Sequence, residues 1–172
     1  MKKLSPLLFR SVIFAAFISP LAQTAQAEVK AGDRFGDWVF ECAALAEDKT
    51  TCALTQTLQS KQGNQRIVKF NLARNEAKGR IQLTAVVPLG IHLPSGVSGA
   101  IDKNKPFQYT LQTCLQPGCI ATYAVDGNFL KAMQAGQTLT IRFSGNGGKT
   151  PFSFDGSLKG LSEGMKAAKL NP

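Results

Sequence analysis

Phe107-Gln108-Tyr109-Thr110-Leu111-Gln112-Thr113-Cys114-Leu115-Gln116-Pro117-Gly118-Cys119-Ile120-Ala121-Thr122-Tyr123-Ala124-Val125 is the stretch that decides the fold. Phe107, Tyr109 and Leu111 alternate with Gln108, Thr110 and Gln112. After a turn, Ala121, Tyr123 and Val125 answer them. Alternation with a period of two places one set of side chains on each face of a strand, so this is a hairpin with one apolar face. The turn chemistry agrees. Pro117 presets φ for the second turn position, and Gly118 accepts positive φ at the third. Cys114 and Cys119 then stand at the mouth of the hairpin.

The same alternation extends in both directions. Gly36 to Glu41 reads as a first strand, and Thr51 to Ser60 as a second with Cys52, Leu54 and Leu58 on one side. Lys61-Gln62-Gly63-Asn64 turns the chain. Gln65 to Arg74 sets Val68, Phe70 and Leu72 inward; Lys78-Gly79 turns again; Arg80 to Val87 sets Ile81, Leu83, Ala85 and Val87 on one face. Val97 to Asp102 reads as a short edge strand. Gln137 to Ser144 buries Leu139, Ile141 and Phe143, and Thr150 to Ser157 adds Phe152 and Phe154. Two segments have helical spacing: Gly127 to Ala135 with Phe129, Leu130 and Met133, and Leu158 to Leu170 with Leu161, Met165 and Ala168. Lysines in the last turns of the second suit the negative end of a helix dipole. The expected architecture is all-β, a β-sandwich of about eight to nine strands with two short helices, one of them C-terminal.

Four cysteines permit three pairings. The local one, Cys42–Cys52 with Cys114–Cys119, fits two short loops and is the one expected. A redox pair wants Cys-x-x-Cys at a helix N-terminus, and the spacings here match no common zinc knuckle. Structural disulfides also agree with the chain's start. Met1-Lys2-Lys3, the apolar stretch Val12 to Ala22 and Ala25-Gln26-Ala27 read as a cleaved secretory signal over residues 1–27. The apolar stretch is interrupted by Arg10 on the left and Pro20 on the right, and is short of the roughly 20 residues a bilayer span needs. The mature chain, residues 28–172, is expected to be a single domain. An oxidising compartment favours disulfides over thiols.

The formal charge of +9 loses Lys2, Lys3 and Arg10 with the signal, and no acid, leaving +6. The basic residues are scattered and form no run. An exported chain does not ordinarily meet nucleic acid, so this balance fits anionic envelope components, lipid headgroups or polysaccharide.

No catalytic constellation emerges, and neither a metal nor a cofactor is implied. His92 is the sole histidine; Ser95, Ser98 and Asp102 are near in sequence, but there is no nucleophile elbow. Gly145-Asn146-Gly147-Gly148-Lys149-Thr150 ends like a phosphate-binding loop, yet Phe143 stands where the motif needs glycine. It reads as a glycine-rich hairpin loop. The carboxylates Glu47, Asp48, Glu76 and Glu163 define no apolar acid–base pocket. The unusual segment is Pro88-Leu89-Gly90-Ile91-His92-Leu93-Pro94-Ser95-Gly96-Val97, a loop rich in apolar residues where loops are usually polar. Either it tucks over the core, or Leu89, Ile91, His92 and Leu93 form an exposed patch for a partner.

Val87 to Val97 followed by Ile101-Asp102 resembles the middle signature of the invasion-associated locus B family. Cys114 to Ala121 is similar to that family's C-x-x-x-G-C-x-A turn. Leu130, Gly136, the Ser157-Leu158-Lys159-Gly160-Leu161 element and the opening Gly36-Asp37-Trp38 with Cys42 and Cys52 fit as well. Leu161 stands where most members have phenylalanine. The resemblance covers nearly all of the mature chain. It implies an exported envelope protein of Gram-negative bacteria, linked through its founding member to host-cell entry, with no catalytic residues to carry over. The expectation is a non-enzymatic binding protein, periplasmic, outer-membrane-associated or secreted. Its partner would be an envelope or host-surface component. One alternative is an envelope-maintenance factor binding polysaccharide or lipid. The other is a hydrolase built on His92.

Overall fold

The structure, a computed structural model, describes residues 28–46, 49–61 and 65–170. The expected signal lies outside the described residues. Ten strands form in chain order: β1 (Arg34–Phe35), β2 (Trp38–Ala46), β3 (Lys49–Gln59), β4 (Arg66–Asn75), β5 (Arg80–Val87), β6 (Val97–Ile101), β7 (Phe107–Leu115), β8 (Gly118–Ala124), β9 (Thr138–Gly145) and β10 (Thr150–Ser157). The helices are α1 (Gly127–Ala135) and α2 (Leu161–Ala167). The strand beyond the expected eight or nine is β1, whose two residues are too few to show a period.

The strand order is β1-β2-β3-β4-β5-β8-β7-β6-β9-β10, antiparallel throughout. The ladder folds into two sheets at β7. Its first residues, Phe107 to Tyr109, pair with β6, and its remainder, from Thr110, pairs with β8. A bulge at Gln112 sits just past the switch, as bulges do where a strand must bend. β6 lies between β7 and β9 and is therefore not an edge strand, correcting the expectation for Val97 to Asp102. Its alternation is lost because Val97, Gly99, Ala100 and Ile101 are all buried.

The inner faces carry the apolar rows read from the sequence. Leu54, Val68, Phe70, Leu72, Leu83, Ala85, Leu139 and Ile141 are fully buried and join Trp38, Met133, Leu161 and Met165 in one core. α2 covers the first sheet so closely that a Cβ on Gly164 would lie 2.9 Å from a methyl of Leu54. α2 begins three residues later than its apolar spacing implies, because Gly160 is left-handed at φ +83° and starts the helix there. α1 starts as expected, with the Asp126 carboxylate accepting from the Phe129 N–H at 2.7 Å.

The two ends of the strand order are drawn together by side chains. Gln56 occupies the inward row of β3 between Leu54 and Leu58, a polar residue at an apolar position. It is 6% exposed. Its Nε2 donates to Ser157 O at 2.8 Å and Asp37 O at 3.2 Å, and its Oε1 accepts from Ser157 N at 2.8 Å. The amide thus pairs with the outer edge of β10 as a neighbouring peptide would. Trp38 Nε1 donates to the same Ser157 carbonyl at 2.8 Å. Gly36 and Gly160 pack back to back at positive φ, each with its missing Cβ aimed at the other segment's backbone. The Gly36-Asp37-Trp38 and Ser157 to Leu161 motifs therefore close the sandwich as one joint.

Candidate functional site

Hairpin geometry gathers four connections at one end. Val87 faces Cys119, so β5 exits beside the stapled hairpin, where Leu115 faces Gly118. The Arg66 guanidinium, at the start of β4, donates to the Pro117 carbonyl. Val97 faces both Tyr109 and Phe143, and Ile91 bridges to Gly145. The start of β4, the Pro88–Gly96 loop, the Leu115–Gly118 turn and the Gly145–Thr150 loop are thus neighbours.

Both disulfides form, each joining directly opposite residues of neighbouring strands: Cys42–Cys52 across β2 and β3, Cys114–Cys119 across β7 and β8. All four cysteines are therefore paired, and none is a free thiol. The turn register differs by one from the sequence reading. Gln116 and Pro117 are the two loop residues, so Gly118 opens β8. Gly118 has φ +138°, and a Cβ there would collide with the Val87 carbonyl. Glycine is needed for the approach of β5 as much as for the turn.

The Pro88–Val97 loop is tucked over the core in part and exposed in part. Ile91 is half-buried, packs on the core and bridges to β9. Leu89 and Leu93 point outward, 55% and 51% exposed. His92 is a brace. Its N–H donates to Ser144 O at 2.7 Å, its Nδ1 lies 2.7 Å from Ser95 Oγ, and a Cβ on Gly148 would meet its ring at 2.9 Å. Asp102 is far along β6 from this loop. It is left-handed at φ +48°, and its carboxylate accepts from the backbone N–H groups of Gln137 and Thr138 at 3.1 and 2.8 Å. The structure does not bring Asp102 to His92. Glu76 lies in the turn after β4 and Glu163 in α2, on separate elements; Glu47 and Asp48 lie outside the described residues. Gly145–Thr150 is a hairpin loop between β9 and β10, with left-handed Gly147 and Gly148.

Two residues of this end escaped the sequence reading. Leu115, read as part of a turn, is 54% exposed. Phe152, read as inward, is 40% exposed because β10 is the last strand of the order and its first half has little covering it. Beside Phe152 a groove of about 390 Å³ holds Arg142 among the hydroxyls of Ser95, Ser98, Ser144 and Ser153. The signal for it was present, since Arg142 stands in the outward row of β9.

Three other side chains have shifted titrations. The hydrogen bond from Lys69 Nζ at 2.7 Å holds the Glu41 carboxyl below its ordinary range. Burial raises the hydroxyl of Tyr109, which has no hydrogen-bond partner among the described residues. Burial, then the Asp126 charge, raises Tyr123. Both tyrosines belong to an aromatic cluster with Phe107 and Phe129, centroids 4.5 to 6.4 Å apart, under α1. Among the described residues, no group of three His, Cys, Asp or Glu side chains is placed to hold a metal ion. No helix among them is long and apolar enough to cross a membrane.

These features define a small β-sandwich with two stapled hairpins, a glycine-locked joint and its apolar loop tips gathered at one end. The chain belongs to the invasion associated locus B (IalB) protein family, whose model matches residues 38–169. It is 30% identical over 152 residues to an invasion protein B homolog of Brucella abortus strain 2308, spanning 88% of this chain and 83% of that one. A homolog from B. abortus biovar 1 strain 9-941 matches to the same extent. The crystal structure of invasion associated protein b from Bartonella henselae superposes with a TM-score of 0.69 at 24% identity. It covers 80% of this chain and 93% of that one, and shares the fold.

Proposed function

We propose that the protein is an exported, non-enzymatic binding protein of the bacterial envelope. It meets its partner through the loop end of the sandwich, and contributes to host-cell contact in the manner its relatives' names imply. The observation that carries this is the placing of Leu89, Leu93, Leu115 and Phe152. These are the large apolar side chains exposed among the described residues, and the topology sets all four at the same end. Four such side chains on a loop and neighbouring strand ends favour a contact surface over random exposure. The hydrolase alternative has one specific observation in its favour, the His92–Ser95 hydrogen bond. It lacks the third member, since Asp102 caps backbone donors at the far end of β6.

The test is binding of the oxidised mature protein to intact host cells and to isolated bacterial envelopes. Leu89→Asp with Leu93→Asp is expected to lower affinity roughly tenfold or more while leaving thermal unfolding unchanged. Both side chains are over half exposed, whereas Ile91 is part of the packing and is left intact. Unchanged binding by a folded double variant removes this surface from the account. For the alternative, His92→Ala protein that keeps any hydrolytic activity of the parent ends that reading.

A further inference from the structure

We propose that the occupant of the loop end is an anionic membrane surface, on which the protein docks peripherally with its apolar loop tips in the lipid interface. This rests on the loop-end reading above and deepens it.

Three observations converge. The first is the kind of apolar surface. Leu89 and Leu93 are borne by one loop, Leu115 by the stapled hairpin and Phe152 by the strand that follows a third loop; all four are exposed, and Phe152 also borders the Arg142 groove. A soft interface accepts such scattered tips, where a rigid protein partner would need a matching hole for each. Sugars are poor partners for bare leucines, and Phe152 is the one aromatic ring among the four.

The second is charge. Residues 60–61, 65–66, 88–96, 115–118 and 145–152 lie at this end, and they contain Lys61, Arg66 and Lys149 but neither Asp nor Glu. The chain has eleven acids, so their absence from these segments leaves a one-sided field. Lys61, Arg66 and Lys149 are exposed. Arg142 adds a fourth cation in the serine-lined groove beside Phe152, where a guanidinium and neighbouring hydroxyls suit a phosphate oxygen. Apolar tips ringed by cations are the pattern of an interfacial anchor on anionic lipid.

The third is preorganisation. Arg66 ties the start of β4 to the stapled hairpin, Ile91 ties its loop to Gly145, and His92 braces that loop against Ser144 and Gly148. The tips are held out by disulfide and backbone bonds, so little ordering entropy is lost on docking.

The experiment is co-sedimentation of the oxidised mature protein with two kinds of vesicle, phosphatidylcholine alone and phosphatidylcholine with phosphatidylglycerol. Binding is expected to the anionic vesicles, weaker by roughly tenfold or more on the neutral ones and at high salt. Lys61→Glu with Lys149→Glu should lose roughly tenfold or more on anionic vesicles. Leu89→Asp with Leu93→Asp should lose at least as much. Circular dichroism and non-reducing mass mapping show whether each variant is folded and oxidised. A folded cation variant that binds as tightly as the parent overturns the proposal. So does full competition by soluble glycerophosphate, which would make the groove a small-anion site. If the parent ignores both vesicles while envelope or cell binding still depends on Leu89 and Leu93, the membrane is the wrong occupant and the loop-end reading stands. If both kinds of binding are absent, both readings fall.

Discussion

Replacing Gln56 with leucine removes the side chain that makes most of the hydrogen bonds holding Ser157 of β10 against the rest of the protein. Three hydrogen bonds disappear, two to the backbone of Ser157 and one to the carbonyl of Asp37. Each is worth about 1 kcal/mol net. The Ser157 N–H also loses its acceptor in a site with little water, a cost of about 1–3 kcal/mol. The Ser157 carbonyl keeps Trp38 Nε1 and is not orphaned. Leucine recovers part of this through apolar burial, so the expected net loss is about 2–4 kcal/mol, a large share of an ordinary domain's stability. Equilibrium urea unfolding of the oxidised mature protein reads it as a fall in midpoint at unchanged slope. Gln56→Glu separates hydrogen bonding from shape. A carboxylate can still accept from Ser157 N–H, but it faces the Asp37 and Ser157 carbonyls with no proton to give. Its folded pKa is therefore raised above the unfolded value, and the variant should gain stability relative to the parent as pH falls and the acid becomes a donor. A Gln56→Leu protein within 1 kcal/mol of the parent, or a Gln56→Glu protein whose deficit does not shrink with acid, refutes the reasoning.

The remaining predictions concern the elements around the loop end and the core. Gly118→Ala forces a Cβ into the Val87 carbonyl and should cost more than about 2 kcal/mol, while Gly79→Ala, at φ +60° in open space, should cost about 1 kcal/mol; chemical denaturation of the two variants side by side checks the difference. Cys114→Ser with Cys119→Ser should lower stability by about 2 kcal/mol through the short loop it reopens, and a melting temperature equal to the parent's would contradict it. Glu41 has a lowered folded pKa, so its contribution is present above the ordinary carboxylate range and lost as pH falls through the folded value. Its pair with Lys69 is partly exposed, so Glu41→Gln should flatten the acid side of the stability–pH curve by less than about 1 kcal/mol. A larger change, or one on the alkaline side, would show that the pair has been misjudged.

Alternation made the strands legible because each faces core on one side and water on the other. It names faces, not neighbours, which is why Val97 to Asp102 read as an edge strand although β7 and β9 flank it. The switch of β7 between sheets and its bulge at Gln112 depend on tertiary pairing and leave no period to read. Gly36, Gly118 and Gly160 were visible as motif glycines, but the backbone each must admit comes from a distant part of the chain. The loop end was half legible. A Leu- and Ile-rich loop punctuated by proline and glycine was conspicuous, yet only the bridge from Ile91 to Gly145 sorts Ile91 inward from Leu89 and Leu93 outward. Leu115 and Phe152 joined them through topology alone. Gln56 carried a signal that could have been used, a polar side chain in the inward row of an otherwise apolar strand.

The central claim is that this end of the sandwich is where the protein binds. The most direct measurement is the affinity of the folded, oxidised Leu89→Asp, Leu93→Asp protein for intact host cells and bacterial envelopes, beside the parent. The expected result is a loss of roughly tenfold or more with an unchanged unfolding midpoint. Equal binding by the two proteins would contradict it.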